Sequence, residues 1–370
     1  MRIPLSKPDI SQDEIKAVKE VLETDTLSIG PKIKEFESEI CKYVGVKNAI
    51  AVNSGTSALH ILVRSLGIKE GDEVITTPYS FIASSNCLLF EKAKPVFVDI
   101  EPDFLGMDLN KVEDKISEKT KALLVVDVFG QPFNIEKAIE IAQKNELFVI
   151  DDACEALGGE WNGKKVGSLT HSTFSFYPNK QITTAEGGVV VTNDDLIAEL
   201  CKSYRSQGRA LTGTWLVHER LGFNYRMSEL HAALGIVQLR KIDKILQRRA
   251  QIAKKYNELL ENIDGVKTPI IAPEVTKMSW FVYVIQLDEK IDRDSVINYL
   301  DKEGVKTKPY FTPIHLQPFY RRDFGFKLGD FPVAEKVGNS SLALPFFNKI
   351  TDEEKEYVCE KIKEAIEANG

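Results

Sequence analysis

Residues 147–155, Leu-Phe-Val-Ile-Asp-Asp-Ala-Cys-Glu, join a short apolar run to a group of acidic residues. The apolar run has the length of a buried strand, and Asp151 and Asp152 stand where that strand would end. Similar runs recur along the chain and alternate with stretches in which apolar residues repeat at helical spacing. This alternation predicts an α/β fold in which a mostly parallel sheet is flanked by helices on both faces.

The other predicted elements extend this pattern in both directions. Ser11-Gln-Asp-Glu14 is a capping box that opens a helix to about residue 23, and Pro31 opens a second helix. The predicted strands are residues 49–52, 73–76, 95–100, 122–128, 147–150, 172–176 and 188–192, and helical patterns cover residues 57–66, 135–143, 228–242 and 245–260.

Beyond about residue 266 the pattern changes to that of a smaller α+β unit. Strands are predicted over residues 279–287 and 305–309, and a closing helix over residues 352–368. No stretch rich in Gly and Ser separates this unit from the rest, which indicates a tight, helical connection. We therefore predict a large domain over residues 1–245, including the N-terminal helix, and a small C-terminal domain over residues 246–370.

The composition is that of an ordinary globular protein, with 43% hydrophobic and 28% charged residues. No apolar run approaches the roughly 20 residues of a membrane-spanning helix, and the first residues have no apolar signal core. The net charge of −7 argues against general attraction to nucleic acid. The five cysteines form no Cys-x-x-Cys pair, so no metal site or disulfide framework is indicated. We expect a cytoplasmic protein without a membrane or nucleic-acid partner.

Polar motifs follow several predicted strands, at the edge where ligands of such sheets bind. Asn53-Ser-Gly-Thr-Ser57 comes directly after strand 49–52 and opens a helix. Its small residues let the backbone approach an anion, and the free N–H groups of a helix start point toward that anion. The motif indicates a phosphate site, although Ser and Thr also cap helices routinely.

Asp152 and Lys180 supply two charged groups at the same edge. A carboxylate that ends a buried strand can pair with a protonated ring nitrogen, or it can cap the next helix. Lys180 ends the motif Ser172-Thr-Phe-Ser-Phe-Tyr-Pro-Asn-Lys180 and shortly precedes Gly187 and Gly188. Such neighbours would exclude water from the amine, and a desolvated lysine is suited to form an imine with an aldehyde.

Two further motifs complete the set. Phe81, in Thr77-Pro-Tyr-Ser-Phe81, offers a flat apolar face to a planar ring, unless it packs in the core. Asn224 and Arg226 precede an apolar helix, where a loop and helix cap is the alternative. Together these motifs supply an amine, a carboxylate, a phosphate-binding helix start and an aromatic ring. Pyridoxal 5′-phosphate requires each of these groups, so we predict this cofactor.

Four of these motifs resemble those of the DegT-type sugar aminotransferases. They are Asn-Ser-Gly-Thr-Ser-Ala-Leu (53–59), Asp-Asp-Ala-Cys-Glu-Ala-Leu-Gly (151–158), Ser-Phe-Tyr-Pro-Asn-Lys (175–180) and Phe-Asn-Tyr-Arg-Met (223–227). The resemblance covers nearly the whole chain. It implies the pyridoxal-phosphate-dependent transferase fold of the aspartate-aminotransferase type, and a homodimer whose active sites lie at the subunit interface.

The resemblance also implies a role for each matching residue. Lys180 would hold the cofactor aldehyde and Asp152 the pyridine nitrogen. The cofactor phosphate would be bound by Gly55, Thr56, Ser57 and Ser175 and by Asn224 of the neighbouring subunit, and Phe81 would stack on the ring. Glu155 departs from the family, because many members have Gln or His there. A second carboxylate near the cofactor would be protonated or offset by a nearby donor.

The function that the resemblance implies is the transfer of an amino group from glutamate to a nucleotide-linked keto-sugar. The cycle would be ping-pong, with pyridoxamine phosphate as the intermediate, and would serve amino-sugar or polysaccharide biosynthesis. Ile3-Pro-Leu-Ser-Lys-Pro8 and Leu27-Ser-Ile-Gly-Pro31 are similar to members that act at carbon 4, which favours a 4-keto-6-deoxyhexose.

The alternatives are a sugar 3-aminotransferase and a sugar dehydratase on the same fold. The dehydratases carry histidine where this chain has Lys180, so they are disfavoured. A ligand-sensing protein without catalysis is disfavoured because Lys180 and Asp152 are both present.

The substrate needs further contacts that the motifs do not locate. The diphosphate requires cationic donors, for which Arg209 and Arg226 are candidates, together with Arg205 and Lys308. His315, in a loop bounded by prolines, is a candidate to reach the sugar, with a structural role as the alternative. His60 lies within an apolar helix and is predicted to belong to the core.

Overall fold

A computed structural model of the chain describes residues 1–210 and 216–369. The strands in chain order are β1 (Asn48–Val52), β2 (Glu73–Thr76), β3 (Lys94–Phe97), β4 (Thr120–Val126), β5 (Phe148–Asp152), β6 (Glu160–Trp161), β7 (Lys164–Lys165), β8 (His171–Ser175), β9 (Gly188–Thr192), β10 (Val266–Lys267), β11 (Val275–Lys277), β12 (Tyr283–Leu287) and β13 (Ser341–Leu344). The helices are α1 (Gln12–Leu22), α2 (Pro31–Val44), α3 (Gly55–Ser65), α4 (Ala83–Phe90), α5 (Ile135–Lys144), α6 (Asp195–Arg205), α7 (Glu229–Arg240), α8 (Ile242–Leu260), α9 (Arg293–Lys302), α10 (Pro318–Phe324), α11 (Pro332–Ser340) and α12 (Asp352–Asn369).

The central sheet has seven strands in the order β1-β9-β8-β5-β4-β2-β3. The pairs from β8 to β3 are parallel, and β9 runs antiparallel to both of its neighbours, β1 and β8. The predicted α/β class with a mostly parallel sheet is confirmed. Two small antiparallel sheets accompany it, one with the order β10-β12-β13 and one with the order β11-β6-β7.

The strands read as continuous apolar runs because both faces of the sheet are covered. In β1, Ile50 and Val52 pack in one core with α3, α4 and α6. The alternate residues Ala49 and Ala51 pack in a second core with α2 and α7. His60, on α3, is also buried, where it hydrogen-bonds to Glu91, and it is a core residue as predicted.

Helix α8 connects this layered structure to the C-terminal unit. In its first turns, Ile245 and Leu246 belong to the core that β1 shares with α2 and α7. Its later turns, with Ile252 and Tyr256, pack against β12, β13 and α12. The predicted boundary after residue 245 falls within this helix. Among the described residues, no helix combines the length and the apolar character needed to cross a membrane.

Two of the predicted C-terminal strands differ from the structure. The strand predicted over residues 279–287 begins only at Tyr283, because the backbone N–H groups of Ser279 and Phe281 donate to the loop at residues 129–130 instead. The strand predicted over residues 305–309 does not form. Val305 pairs only with Ile3, and Lys308 only with Ala343, so the segment makes two isolated bridges rather than one ladder.

The start of α2 is capped by a side chain distant in sequence. Gly30, the residue before the helix, has no side chain to cap it. The Glu229 carboxylate, on α7, accepts instead from the N–H groups of Gly30, Lys32 and Ile33 at 3.0, 2.7 and 3.2 Å. A Cβ atom at residue 30 would lie 2.6 Å from Glu229 Oε2, so the close approach requires glycine.

We expect Glu229→Ala to lower the free energy of unfolding by about 2–4 kcal/mol, because buried N–H groups lose a charged acceptor. Urea unfolding followed by circular dichroism measures this change. Glu258→Ala, at an exposed position of α8, is the control and should stay within about 0.5 kcal/mol of the wild type. An equally small change for Glu229→Ala would contradict the capping role.

Candidate active site

A cavity of about 390 Å³ lies at the carboxyl edge of the central sheet, where β4, β5 and β8 end. It is lined by most of the residues that the motifs single out: Gly55, Thr56, Phe81, Asp152, Glu155, Ser175 and Lys180. The structure therefore brings together side chains that lie up to 125 positions apart in the sequence.

One end of the cavity is built by the start of α3. The Ser54 hydroxyl caps the helix by accepting from the Ser57 N–H at 3.1 Å, and the two hydroxyl oxygens are 2.9 Å apart. Gly55 approaches β8 so closely that a Cβ atom there would lie 2.8 Å from the Cβ of Ser175. Ser57 itself is buried in the first turn of α3. Free helix-start N–H groups beside hydroxyl donors fit an anion such as a phosphate.

Asp152 presents a buried carboxylate from the end of β5. Its Oδ2 accepts from the Ser84 hydroxyl at 2.6 Å, and its Oδ1 accepts from the Cys154 N–H at 3.2 Å. Ser84 is in turn 2.7 Å from the Ser80 hydroxyl. These contacts fix the orientation of an anionic acceptor that can pair with a positively charged nitrogen.

Lys180 enters the cavity from the loop after β8, and only 11% of its side chain is exposed. Its Nζ lies 3.4 Å from Glu155 Oε1 and 3.7 Å from the centre of the Phe281 ring. Glu155 Oε2 also accepts from the Phe129 N–H at 2.8 Å. Burial raises the pKa of Glu155, and Lys180 and the Phe129 N–H oppose that shift. Lys180 and Phe129 are thus the donors that a second carboxylate in this site was expected to need.

Sequence reasoning missed several residues of the cavity. Ser84 lies in a helix start without a distinctive motif, and Phe281, Tyr310 and Phe311 come from the C-terminal part of the chain. All three rings line the cavity, and the Phe281 ring lies against the Lys180 amine. The signal for them was weak, because aromatic residues in loops usually pack in the core. Phe81 lines the cavity but is 58% exposed, so this chain covers only part of its ring.

Five of the predicted site residues do not line the cavity, namely Ser57, Asn224, Arg209, Arg226 and His315. Asn224 is exposed, and Arg209 and Arg226 lie close to one another. His315 is fully buried, and its Nε2 is 2.9 Å from Glu335 Oε1. Its candidate role in reaching the sugar is therefore withdrawn in favour of the structural alternative.

The other two cationic candidates, Arg205 and Lys308, differ in their exposure and in their contacts. Arg205 pairs with Glu37 and donates to the Ala51 carbonyl at 2.7 Å, which occupies its guanidinium within the fold. Lys308 is exposed, and its backbone pairs with Ala343.

The residues present fit pyridoxal 5′-phosphate. A buried amine, a carboxylate held by hydroxyl and N–H donors, and an anion-binding helix start line the same cavity. The cofactor requires each of these groups for its aldehyde, its ring nitrogen and its phosphate.

Comparison with known proteins gives the same result. The model of the DegT/DnrJ/EryC1/StrS aminotransferase family matches residues 8–363. GDP-perosamine synthase from Escherichia coli O157:H7 is 36% identical over 364 residues, which cover 98% of each chain. PseC from Helicobacter pylori, an aminotransferase involved in the biosynthesis of pseudoaminic acid, has a TM-score of 0.94 and 32% identity, with 100% of both chains covered.

Spr1654 from Streptococcus pneumoniae, a proposed sugar aminotransferase, also has a TM-score of 0.94, at 27% identity with 100% of both chains covered, and was solved in its PLP and PMP forms. The predicted family, fold and cofactor are confirmed. The chain belongs to the DegT/DnrJ/EryC1/StrS family of pyridoxal-phosphate-dependent sugar aminotransferases.

Proposed function

We propose that this enzyme transfers the amino group of glutamate to a nucleotide-linked 4-keto-6-deoxyhexose. The observation that carries the proposal is the placement of the Lys180 amine and the Asp152 carboxylate in one cavity beside an anion-binding helix start. The sequence similarity to GDP-perosamine synthase supports a nucleotide-linked sugar. The reaction would run in two half-reactions, because glutamate and the sugar would use the same amine site in turn.

The cofactor supplies an aldehyde that takes up amino groups and a cationic ring that accepts electrons from the neighbouring carbon. Lys180 would hold the aldehyde at rest, and its amine, once free, would take the proton from the α-carbon of glutamate. Asp152 would keep the ring nitrogen protonated, and the Ser84 hydroxyl holds the Asp152 carboxylate in place. Gly55, Thr56, Ser57 and Ser175 would bind the phosphate, and Phe81 would stack on the ring.

The site is completed by a second copy of the chain in this proposal. Phe81 is largely exposed at the mouth of the cavity, which leaves an apolar ring for a partner to cover. Asn224 is exposed and lies outside the cavity of its own chain, as expected if it reaches the cofactor phosphate of the partner. Mixing Lys180→Ala subunits with Asn224→Ala subunits tests this, because a shared site predicts partial recovery of activity and separate sites predict none.

Arg209 and Arg226 are proposed to bind the diphosphate of the sugar nucleotide. Burial lowers the pKa of Arg226, and the neighbouring charges of Arg209 and Arg205 add to that shift. Within the described part of the chain, neither Arg209 nor Arg226 forms an ion pair with an acidic side chain. Two close guanidinium groups without a counter-charge favour an anionic ligand, and arginine matches phosphate well.

Glu155→Gln should keep the glutamate half-reaction within about tenfold of the wild type, a change of about 1.4 kcal/mol in the barrier. The reason is that an amide oxygen can still accept from Phe129, and Gln occurs at this position in related enzymes. Stopped-flow absorbance of the cofactor after mixing with glutamate measures the rate. A loss above about 10³-fold would instead assign Glu155 a direct acid–base role.

The substrate proposal is tested by incubating the enzyme and glutamate with a panel of 4-keto and 3-keto nucleotide sugars. Mass spectrometry should show an amino-sugar nucleotide formed from the 4-keto compounds, and initial rates should give the parallel lines of a ping-pong mechanism. Amination of the 3-keto compounds alone would favour the 3-aminotransferase alternative. Loss of water without gain of nitrogen would favour the dehydratase.

A further inference from the structure

Two buried aspartates lie together at the end of the strands that carry the site. Asp127 directly follows β4, and Asp151 belongs to β5, where it precedes Asp152. They are 2% and 3% exposed. Because successive residues of a strand point to opposite faces, Asp151 lies on the face away from Asp152. The N–H of Asp127 donates to the Asp152 carbonyl at 3.2 Å, which joins the two strand ends.

Each of these carboxyl groups has one oxygen with a donor and one without. The Phe133 N–H donates to Asp127 Oδ1 at 2.6 Å, and the Ser172 hydroxyl donates to Asp151 Oδ2 at 2.9 Å. Among the described residues, no N–H or hydroxyl donor reaches the buried Asp127 Oδ2 or Asp151 Oδ1. Both side chains line the same small space between the strand ends, and each affects the pKa of the other. Two ionised carboxylates in this arrangement would repel and leave both oxygens without a partner.

The nearby cations are engaged elsewhere. Lys164 and Lys165 line the small space next to the two aspartates. However, Lys164 Nζ binds Glu136 at 2.7 Å, and Lys165 Nζ donates to the Tyr43 carbonyl at 2.5 Å. Asp152, on the opposite face of β5, adds negative charge to the surroundings of both aspartates. A proton held between the two carboxyl groups would satisfy both oxygens.

We propose that Asp127 and Asp151 share one proton between Asp127 Oδ2 and Asp151 Oδ1, and that this shared proton positions the strand end that carries Asp152. With the proton in place, the aspartate pair bears a single negative charge and links the ends of β4 and β5. Without it, three negative charges would meet at one buried edge of the sheet. Asp127 and Asp151 are positioning residues, and only their effect on catalysis rests on the proposed function.

The direction of titration agrees with this geometry. Burial, reinforced by the charge of Asp151, raises the pKa of Asp127 well above its usual range. Burial also raises the pKa of Asp151, and the Ser172 hydroxyl opposes that shift. The folded protein therefore binds a proton that the unfolded chain releases near pH 4. It follows that the stabilisation from the aspartate pair is complete below about pH 4 and is lost as the pH rises through the raised pKa at which the shared proton leaves.

Infrared spectroscopy of the enzyme without cofactor detects the shared proton directly. The spectrum of the wild type minus that of Asp127→Asn at pH 6 should contain the C=O stretch of one protonated carboxyl, with a shift in D₂O. Asp264→Asn, at an exposed position, is the control and should leave that band in place. Absence of the band from the wild type would overturn the shared proton.

The pH dependence of unfolding provides a second test, also without cofactor. The wild type should lose stability between pH 4 and 7, and Asp127→Asn should lose clearly less, because its amide donates permanently to Asp151. Asp151→Asn should behave in the same way if Asp127→Asn fails to fold. An unchanged slope in the variant would overturn the proposal.

The link to the active site is tested by the pH profile of the glutamate half-reaction. Above pH 7 the wild type should slow as the aspartate pair loses its proton, and Asp127→Asn should slow less. Coincident profiles would overturn the positioning role while leaving both the proton and the proposed function intact. A half-reaction that fails in both proteins at every pH would contradict the proposed function instead.

Discussion

Replacing Lys180 with alanine will abolish amino transfer from glutamate and remove the visible absorption that the cofactor has when a lysine holds it. The Lys180 amine is the buried primary amine that the structure places in the cavity with Asp152. Loss of a positioned general base lowers rates by about 10²–10⁴-fold, and loss of the covalent attachment adds to that, so we expect a decrease of at least about 10³-fold. Absorbance spectra and stopped-flow mixing with glutamate measure both effects.

Lys254→Ala is the matched control for this substitution. Lys254 is exposed on α8, and alanine is a good helix former, so its removal should change neither the spectrum nor the rate. If Lys180→Ala transferred amino groups within tenfold of the wild type, the assignment of Lys180 would be wrong.

Asp152→Asn will slow the glutamate half-reaction by about 100-fold or more while the fold is retained. Asparagine has nearly the same shape, and its amide oxygen can still accept from Ser84. It lacks the negative charge that keeps the ring nitrogen protonated, and a charge-assisted hydrogen bond of this kind contributes about 3 kcal/mol. The rate is measured by stopped-flow absorbance, and the fold by circular dichroism.

Asp114→Asn removes an exposed carboxylate and is the control for the loss of charge alone. It should react at the wild-type rate. A similar result for Asp152→Asn, with the cofactor bound, would show that the ring nitrogen does not depend on this carboxylate.

The central sheet was predictable because its strands are buried on both faces. Such strands leave continuous apolar runs in the sequence, and the bounds predicted for β2 and β9 agree with the structure residue for residue. The groups that follow the strand ends could be predicted to lie together because parallel strands bring their carboxyl ends to one edge of the sheet. Asp152, Lys180 and the start of α3 meet there.

Contacts between distant parts of the chain left no local pattern. The cap of α2 depends on Glu229, which is 199 positions from Gly30. The hydrogen bond that orients the Asp152 carboxylate comes from Ser84, which is 68 positions away. Phe281 and Tyr310 line the cavity from loops in the C-terminal part of the chain. The spacing of apolar residues in a sequence does not predict the conformation of such loops.

Side-chain direction was the other property that the sequence did not reveal. The proline-bounded loop around His315 indicated a position near the substrate, but the ring turns inward to Glu335. Asp151 and Asp152 are adjacent, yet the alternation of a strand places one of them in the cavity and the other against Asp127. Only the structure separates their roles.

The central claim is that Lys180 holds the cofactor, and chemical trapping tests it most directly. The enzyme is incubated with pyridoxal 5′-phosphate, reduced with borohydride, digested and sequenced by mass spectrometry. The cofactor should be found on the peptide that contains Lys180, at about one equivalent per chain. Attachment mainly to another lysine, with Lys180 unmodified, would contradict the account.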